Sequence, residues 1–319
     1  MNNAPHHFRA TVTAAALAAL CGVGLACAEP AKRAKPPTWT PEDLDAFLDD
    51  ARQALVGPRP DRRSPSDDKQ APLAGPQSSA AGQPPAGDVA WSQLIDGDTL
   101  ADEVKRLAAS LQEPLSSPAA FKSGGHQQCR SALNLLAVLF AAIAEYDGDV
   151  RWQADAAPLR DRLARAAANC KVAADQALAE AAQRMAELDD LVRGQPLGLP
   201  PAPAVDDWST LADRSLLMER MEQSLDERLA PALATSRELT RRAADVAHEA
   251  QVLALLAHVI QREAFDNWDD PAFRQHAHNL QDAATELKRA AEEIDHPAAQ
   301  AALNRIEQSC ANCHADFRG

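Results

Sequence analysis

Two cysteines and a histidine near the C-terminus, in Cys310-Ala311-Asn312-Cys313-His314, are the residues of this chain best suited to chemistry. On a helix, positions three and four apart share a face, so two thiols and one imidazole project side by side. Such a pair of thiols can form thioethers with the two vinyl groups of a porphyrin, while the imidazole binds its iron. The spacing therefore predicts one covalent haem c, anchored by Cys310 and Cys313, with His314 as the iron ligand. A dithiol redox centre is the poorer reading, because it expects a βαβ setting. A structural zinc site needs four ligands at characteristic spacings, and no second pair stands nearby.

Those three residues need a helix, and that helix needs partners. Aromatic residues are 4% of the 319-residue chain, and no stretch alternates as a β-hairpin would, so the fold class is all-α. Over 207–319 the apolar spacing predicts an antiparallel four-helix bundle. Its first helix covers about 207–230, with Leu211, Met218, Met221 and Leu225 on one stripe. The second covers about 232–262, with Leu239, Ala243, Val246, Ala250, Leu253, Ala257 and Ile260. The third covers about 271–294, from Phe273 through Leu280 and Leu287 to Ile294, and the last about 298–317, with Leu303, Ile306, Cys310, Cys313 and Phe317.

A haem pentapeptide at the end of the last helix, followed by an aromatic and an arginine in Cys-Ala-Asn-Cys-His-Ala-Asp-Phe-Arg, resembles the cytochrome c′ family and its low-spin relatives. The resemblance covers residues 207–319 and implies a bundle with its haem near one end, partly exposed at an edge. It extends to Arg214-Ser215-Leu216-Leu217-Met218 on the first helix, although Ser215 stands where the family often has Gln. By that resemblance Arg214 and Arg318 lie near the haem propionates, and Met218, four residues beyond Arg214, faces the open side of the iron. A thioether there implies His/Met ligation and electron transfer. An apolar side chain that merely blocks the site implies five-coordinate iron and binding of NO or CO, and a Met on an apolar stripe is often just core.

The chain also repeats itself. Trp91-Ser92-Gln93-Leu94 matches Trp208-Ser209-Thr210-Leu211 at an offset of 117 positions, which also brings Leu136-Ala137 onto Leu253-Ala254 and Ile143 onto Ile260. A period of that length predicts two copies of a helical domain, 89–194 and 207–319, joined by a Pro-rich linker over 195–206. Met185, Leu188 and Asp189 occupy the places of Cys310, Cys313 and His314 in the first copy. Gly97 and Ala101 occupy those of Arg214 and Met218, so the first copy is expected to be haem-free. Its own Cys129 and Cys170 lie at similar distances either side of the turn near Asp149, which predicts a disulfide; two buried thiols are the alternative. Because residues 159–192 carry no Gly or Pro, its third and fourth helices read equally well as one long helix. The six histidines outside the motif and the first residues (His126, His248, His258, His276, His278 and His296) share no ligand spacing and are read as structural or solvent-facing. His258, close to a seam, is the alternative distal ligand to Met218.

Residues 1–28 have the form of an export signal: Arg9, an apolar run from Ala14 to Leu25, then Ala26-Cys27-Ala28. A periplasmic or otherwise exported protein cleaved after Ala28 is expected, with acylation at Cys27 the alternative. Residues 29–88 are rich in Pro, Ala, Ser and Gly and read as a linker, broken by a short helix at about 41–56 that Thr40-Pro41-Glu42-Asp43 would start. No apolar run other than the leader reads as a membrane span.

The formal charge of −14 argues against nucleic acid and suits a basic redox partner protein. The resemblance also admits a homodimer formed through the first two helices, a surface that the upstream copy could occupy instead. No catalytic pair or substrate pocket is evident, so no enzymatic activity is expected. The chain reads as an exported electron-transfer cytochrome, with two alternatives: a gas-binding protein, or an interaction module that uses a haem domain as its redox tether.

Overall fold

The computed structural model describes residues 89–205 and 207–318, all helix and connecting turns without a strand among them. The expected leader with Cys27, the linker over 29–88 and its short helix lie outside the described residues. Eight main helices follow one another. In the first copy α1 is Gly97–Ser110, α2 His126–Ala144, α3 Gln153–Asn169 and α4 Asp175–Val192. In the second α5 is Arg214–Gln223, α6 Ser236–Val259, α7 Pro271–Glu292 and α8 His296–Phe317.

Helix starts follow capping chemistry. Thr235 accepts the Glu238 N–H ahead of α6, Asp270 those of Ala272 and Phe273 ahead of α7, and Asp295 that of Ala298 ahead of α8, with a proline in the first turn of the last two. The same rule corrects the expected start of the first helix of the second copy. Asp207 caps a single turn at Trp208–Thr210, the chain bends, and Asp213 caps α5 at Arg214. Ile294 is a second correction, because it lies beyond the end of α7 with a φ of 55° and is 48% exposed.

Residues 159–192 form two helices, broken after Asn169. No capping side chain marks the break; the residue before α4 is Ala174. Side chains between the arms hold the chain folded back instead: Arg162 to Glu187, and Arg165 and Asn169 to Glu180. Cys129 and Cys170 are fully buried thiols, unbonded to each other in this structure. Burial pushes the Cys129 thiol up to about 12, and the neighbouring Cys170 adds to the rise. Residues 195–205 run along the first copy, where Leu197 N–H donates to Asp155 and Pro203 O accepts from Arg160.

The two copies share one continuous core. Pro118–Ala144 is, by length and composition, apolar enough to cross a membrane, contrary to the sequence expectation. Within this fold it is the central helix of the first copy, and α2 is buried on nearly every face.

The contacts across the seam follow the repeat. Trp91 stacks on Trp208 at 5.7 Å between ring centroids, Arg220 donates to Glu103 at 3.1 Å, and Arg262 donates to Glu145 at 2.8 Å. Each pair joins the same position of the two copies, 117 residues apart. Off this line the contacts are exchanged: Asp96 N–H donates to Gln251 and Asp213 N–H to Asn134, both at 2.7 Å. Equivalent residues that meet themselves on an axis and trade partners off it define a two-fold interface, here within one chain. The first two helices of the second copy are thereby covered by those of the first, and a homodimer would have to use another surface.

At the centre of the seam, Arg220 also binds Glu249 at 2.9 Å and the Ser224 hydroxyl, while His248 meets Glu103 at 2.9 Å. Glu103, His248 and Glu249 lie close enough together to suit a metal ion, but the cation between the carboxylates is the Arg220 guanidinium, with Arg228 and Arg106 beside it. Burial raises the Glu103 pKa, but the His248 hydrogen bond and the Arg220 charge outweigh it and hold the carboxyl at about 2. His258 is 1% exposed, packed edge-on to Trp91 at 5.0 Å, and neither ring nitrogen has a hydrogen-bond partner among the described residues. Burial, with the Arg262 and His278 charges, pushes its pKa down to about 4.

Arg220→Ala leaves two carboxylates buried without their cation and is expected to cost about 3–5 kcal/mol, read as a lower urea midpoint. The pH dependence has one sign. His258 binds its proton more readily in the unfolded chain, so its contribution is full above its ordinary pKa of 6.5 and falls as the pH drops toward about 4. The loss is on the order of 3 kcal/mol. Glu103 continues the decline from 4.5 to about 2. Urea midpoints measured from pH 8 downwards should stay level and then fall from about pH 6.5, and His258→Phe should flatten the first limb.

Candidate functional site

Cys310, Cys313 and His314 stand on the last two turns of α8, and the helical spacing carries all three to one wall of a cavity of about 660 Å³. This size suits a bound prosthetic group. Met218, on α5, lines the same cavity, as do Arg214 and Arg318. Every residue assigned to the haem from the sequence therefore reaches this one space. His258 does not: it is buried against the first copy, so the alternative distal ligand is removed.

The cavity exists because two helices stand apart. In the first copy α1 and α4 pack together; in the second, the equivalent α5 and α8 face each other across the open space. The residues agree with this difference. Leu188, at the Cys313 position, is fully buried core, and Ala101, at the Met218 position, is 2% exposed. A Cβ on Gly97 would lie 3.2 Å from the Asp149 carbonyl, so a larger residue there would press on that carbonyl. In the second copy Arg214 instead donates to the equivalent carbonyl, that of Asp266, at 2.8 Å.

The walls are aromatic and aliphatic. Arg214 lies over the Phe273 ring at 4.8 Å, and Phe273 meets Phe317 edge-on at 5.5 Å. Met221, Leu225, Ile260 and Leu280 complete the apolar lining, while Glu219, Glu222, Asp226 and Glu307 edge the cavity with negative charge. His276 also lines it, held by Asp316 at 2.9 Å, and its backbone carbonyl accepts from Ser309 at 2.7 Å. The sequence reading missed His276 as a wall residue. The available signal was its place beside Phe273, Ala277 and Leu280 on the buried stripe of α7.

Burial pushes the Cys310 thiol up to about 11, with Cys313 and Glu307 adding to it. Burial also raises the Cys313 thiol, against the opposing charge of Arg214. A reactive dithiol centre is favoured by lowered thiol pKa values, and the surroundings here push both the other way. Among the described residues, the group close enough together to suit a metal ion, Glu103, His248 and Glu249, lies elsewhere, and no four-ligand zinc set forms around the motif. Two thiols, an imidazole, a thioether facing them and two arginines in an apolar chamber fit a covalently held haem.

Compared with known proteins, residues 211–318 match the family described as Cytochrome C′. The matched segment contains α5 to α8 and every residue of the cavity, and the first copy lies outside it. No curated protein and no solved structure matches the chain.

Proposed function

We propose, from the cytochrome c′ match and the cavity it encloses, that the chain is an exported c-type cytochrome that carries electrons through one haem. The observation that carries this reading is the convergence of Met218 from one side and Cys310, Cys313 and His314 from the other on a single apolar chamber. When bound, haem supplies a one-electron ferric/ferrous couple. Cys310 and Cys313 would tether it as thioethers, and His314 from α8 and Met218 from α5 would bind its iron. Arg214 and Arg318 balance propionate charge. A thioether ligand favours the ferrous state and raises the potential, as a carrier requires.

The acidic residues at the chamber edge and the net charge of −14 suit a basic partner protein. Electron transfer to such a partner should slow as ionic strength rises. In an exporting host the leader is removed after Ala28, and Cys129 and Cys170, both buried in the first copy, are oxidised to a disulfide by the thiol-oxidising machinery of that compartment.

The deciding experiment is the absorption spectrum of protein matured in an exporting host, with its intact mass. One haem that stays attached under denaturation, and a sulfur-to-iron charge-transfer band in the ferric protein, are expected. Met218→Ala should abolish the band while leaving the haem attached. A high-spin wild-type spectrum that responds to CO would instead support gas binding. For the cysteines, alkylation under denaturing conditions should label neither Cys129 nor Cys170 until reductant is added; labelling without reductant would show two free thiols.

A further inference from the structure

Helix α5 carries two stripes of side chains, each stepping by four and three. Arg214, Met218, Met221 and Leu225 line the cavity. Asp213, Leu217, Arg220 and Ser224 form the neighbouring stripe: Leu217 and Ser224 are fully buried, and Asp213 and Arg220 bond to the first copy. One residue on an α-helix is a rotation of about 100°. A turn of that size would bring the Leu217 side chain to the chamber in place of the Met218 thioether, and a smaller turn already swings the thioether off its line.

Within its own copy α5 is held by Arg214 on the Asp266 carbonyl and by Arg220 on Glu249, with the cavity between it and α8. The first copy adds holds at the start of the helix. Asn134 accepts the Asp213 N–H at 2.7 Å, Arg130 pairs with the Asp213 carboxylate, and that same carboxylate accepts the Ser215 N–H at 3.1 Å. Two turns further on, Glu103 binds Arg220 at 3.1 Å. The clamp recurs across the two-fold axis with other residues. At the equivalent point Asp96 has Gln251 in the role of Asn134, but the place of Arg130 is taken by Ala247, and the Asp96 carboxylate pairs with Lys288 of α7.

We infer that the haem-free copy is a positioning half of the site: Arg130 and Asn134, by clamping Asp213, set the rotation of α5 and with it the reach of Met218 into the chamber. This rests on the Met218 reading above and gives the first copy a task in the chemistry of the second.

The test uses full-length, haem-loaded protein. Arg130→Ala combined with Asn134→Leu removes both holds. It should raise the fraction of haem lacking the sulfur ligand about tenfold, in line with the loss of a part-buried hydrogen bond and its ion pair. The readouts are a weaker sulfur-to-iron band and a lower reduction potential. Gln251→Leu, which breaks the matching contact at the other end of the axis, should leave the band intact despite a comparable loss of thermal stability. Arg130→Lys, which keeps the ion pair, should also keep the band. Equal loss of the band in the Gln251 variant, or none in the double variant, would overturn the inference. A wild-type protein with no such band would bring down the Met218 assignment first, and this inference with it.

Discussion

A hollow between two helices is the condition on which this structure turns. A bundle of Ala-rich and Leu-rich helices closes on itself unless something resists, because each apolar wall gains by meeting the next. The first copy shows that outcome, with its first and fourth helices in contact and leucine and alanine at the positions that could have served a ligand. The second copy keeps the same four helices but sets α5 against the first copy, leaving its other face open toward α8. The thiols of Cys310 and Cys313 thereby line a space rather than fill one.

What holds α5 there is a charged seam rather than an oily one. Glu103, Arg220, Ser224 and Glu249 are all withdrawn from water, an arrangement that yields little net stability against a hydrophobic replacement. Its value lies in geometry. Charged pairs and hydrogen bonds have one register, whereas leucines slide. The seam therefore fixes which residues of α5 look inward, and the two tryptophans and Arg262 extend that fixed register along the axis.

Much of this was legible in the sequence, and the parts that were not have physical reasons. The haem pentapeptide, the repeat and the four apolar seams depend on spacing along one helix, which a sequence displays directly. The start of α5 was misplaced because a capping aspartate and an isolated turn look alike until the chain direction is known. Ile294 was counted as core because periodicity alone does not show where a helix stops. His258 and His276 exchanged importance: one is sealed between the copies and the other lines the chamber, a distinction set by tertiary packing alone. The pairing of Glu103 with Arg220 did leave a trace, since opposite charges occupy the same position of the two repeats. It becomes meaningful only once the copies are known to face each other.

The segment 195–205, lying along the first copy, has a consequence of its own. Partners that meet as separate chains part when they are scarce, and their behaviour tracks how much protein a cell makes. Here the partner is tied on by a short connection, so each half sees the other at an effective concentration on the order of millimolar whatever the dilution. The two halves stay together in a single molecule, which frees this protein from the concentration threshold that any dimer of separate chains must meet.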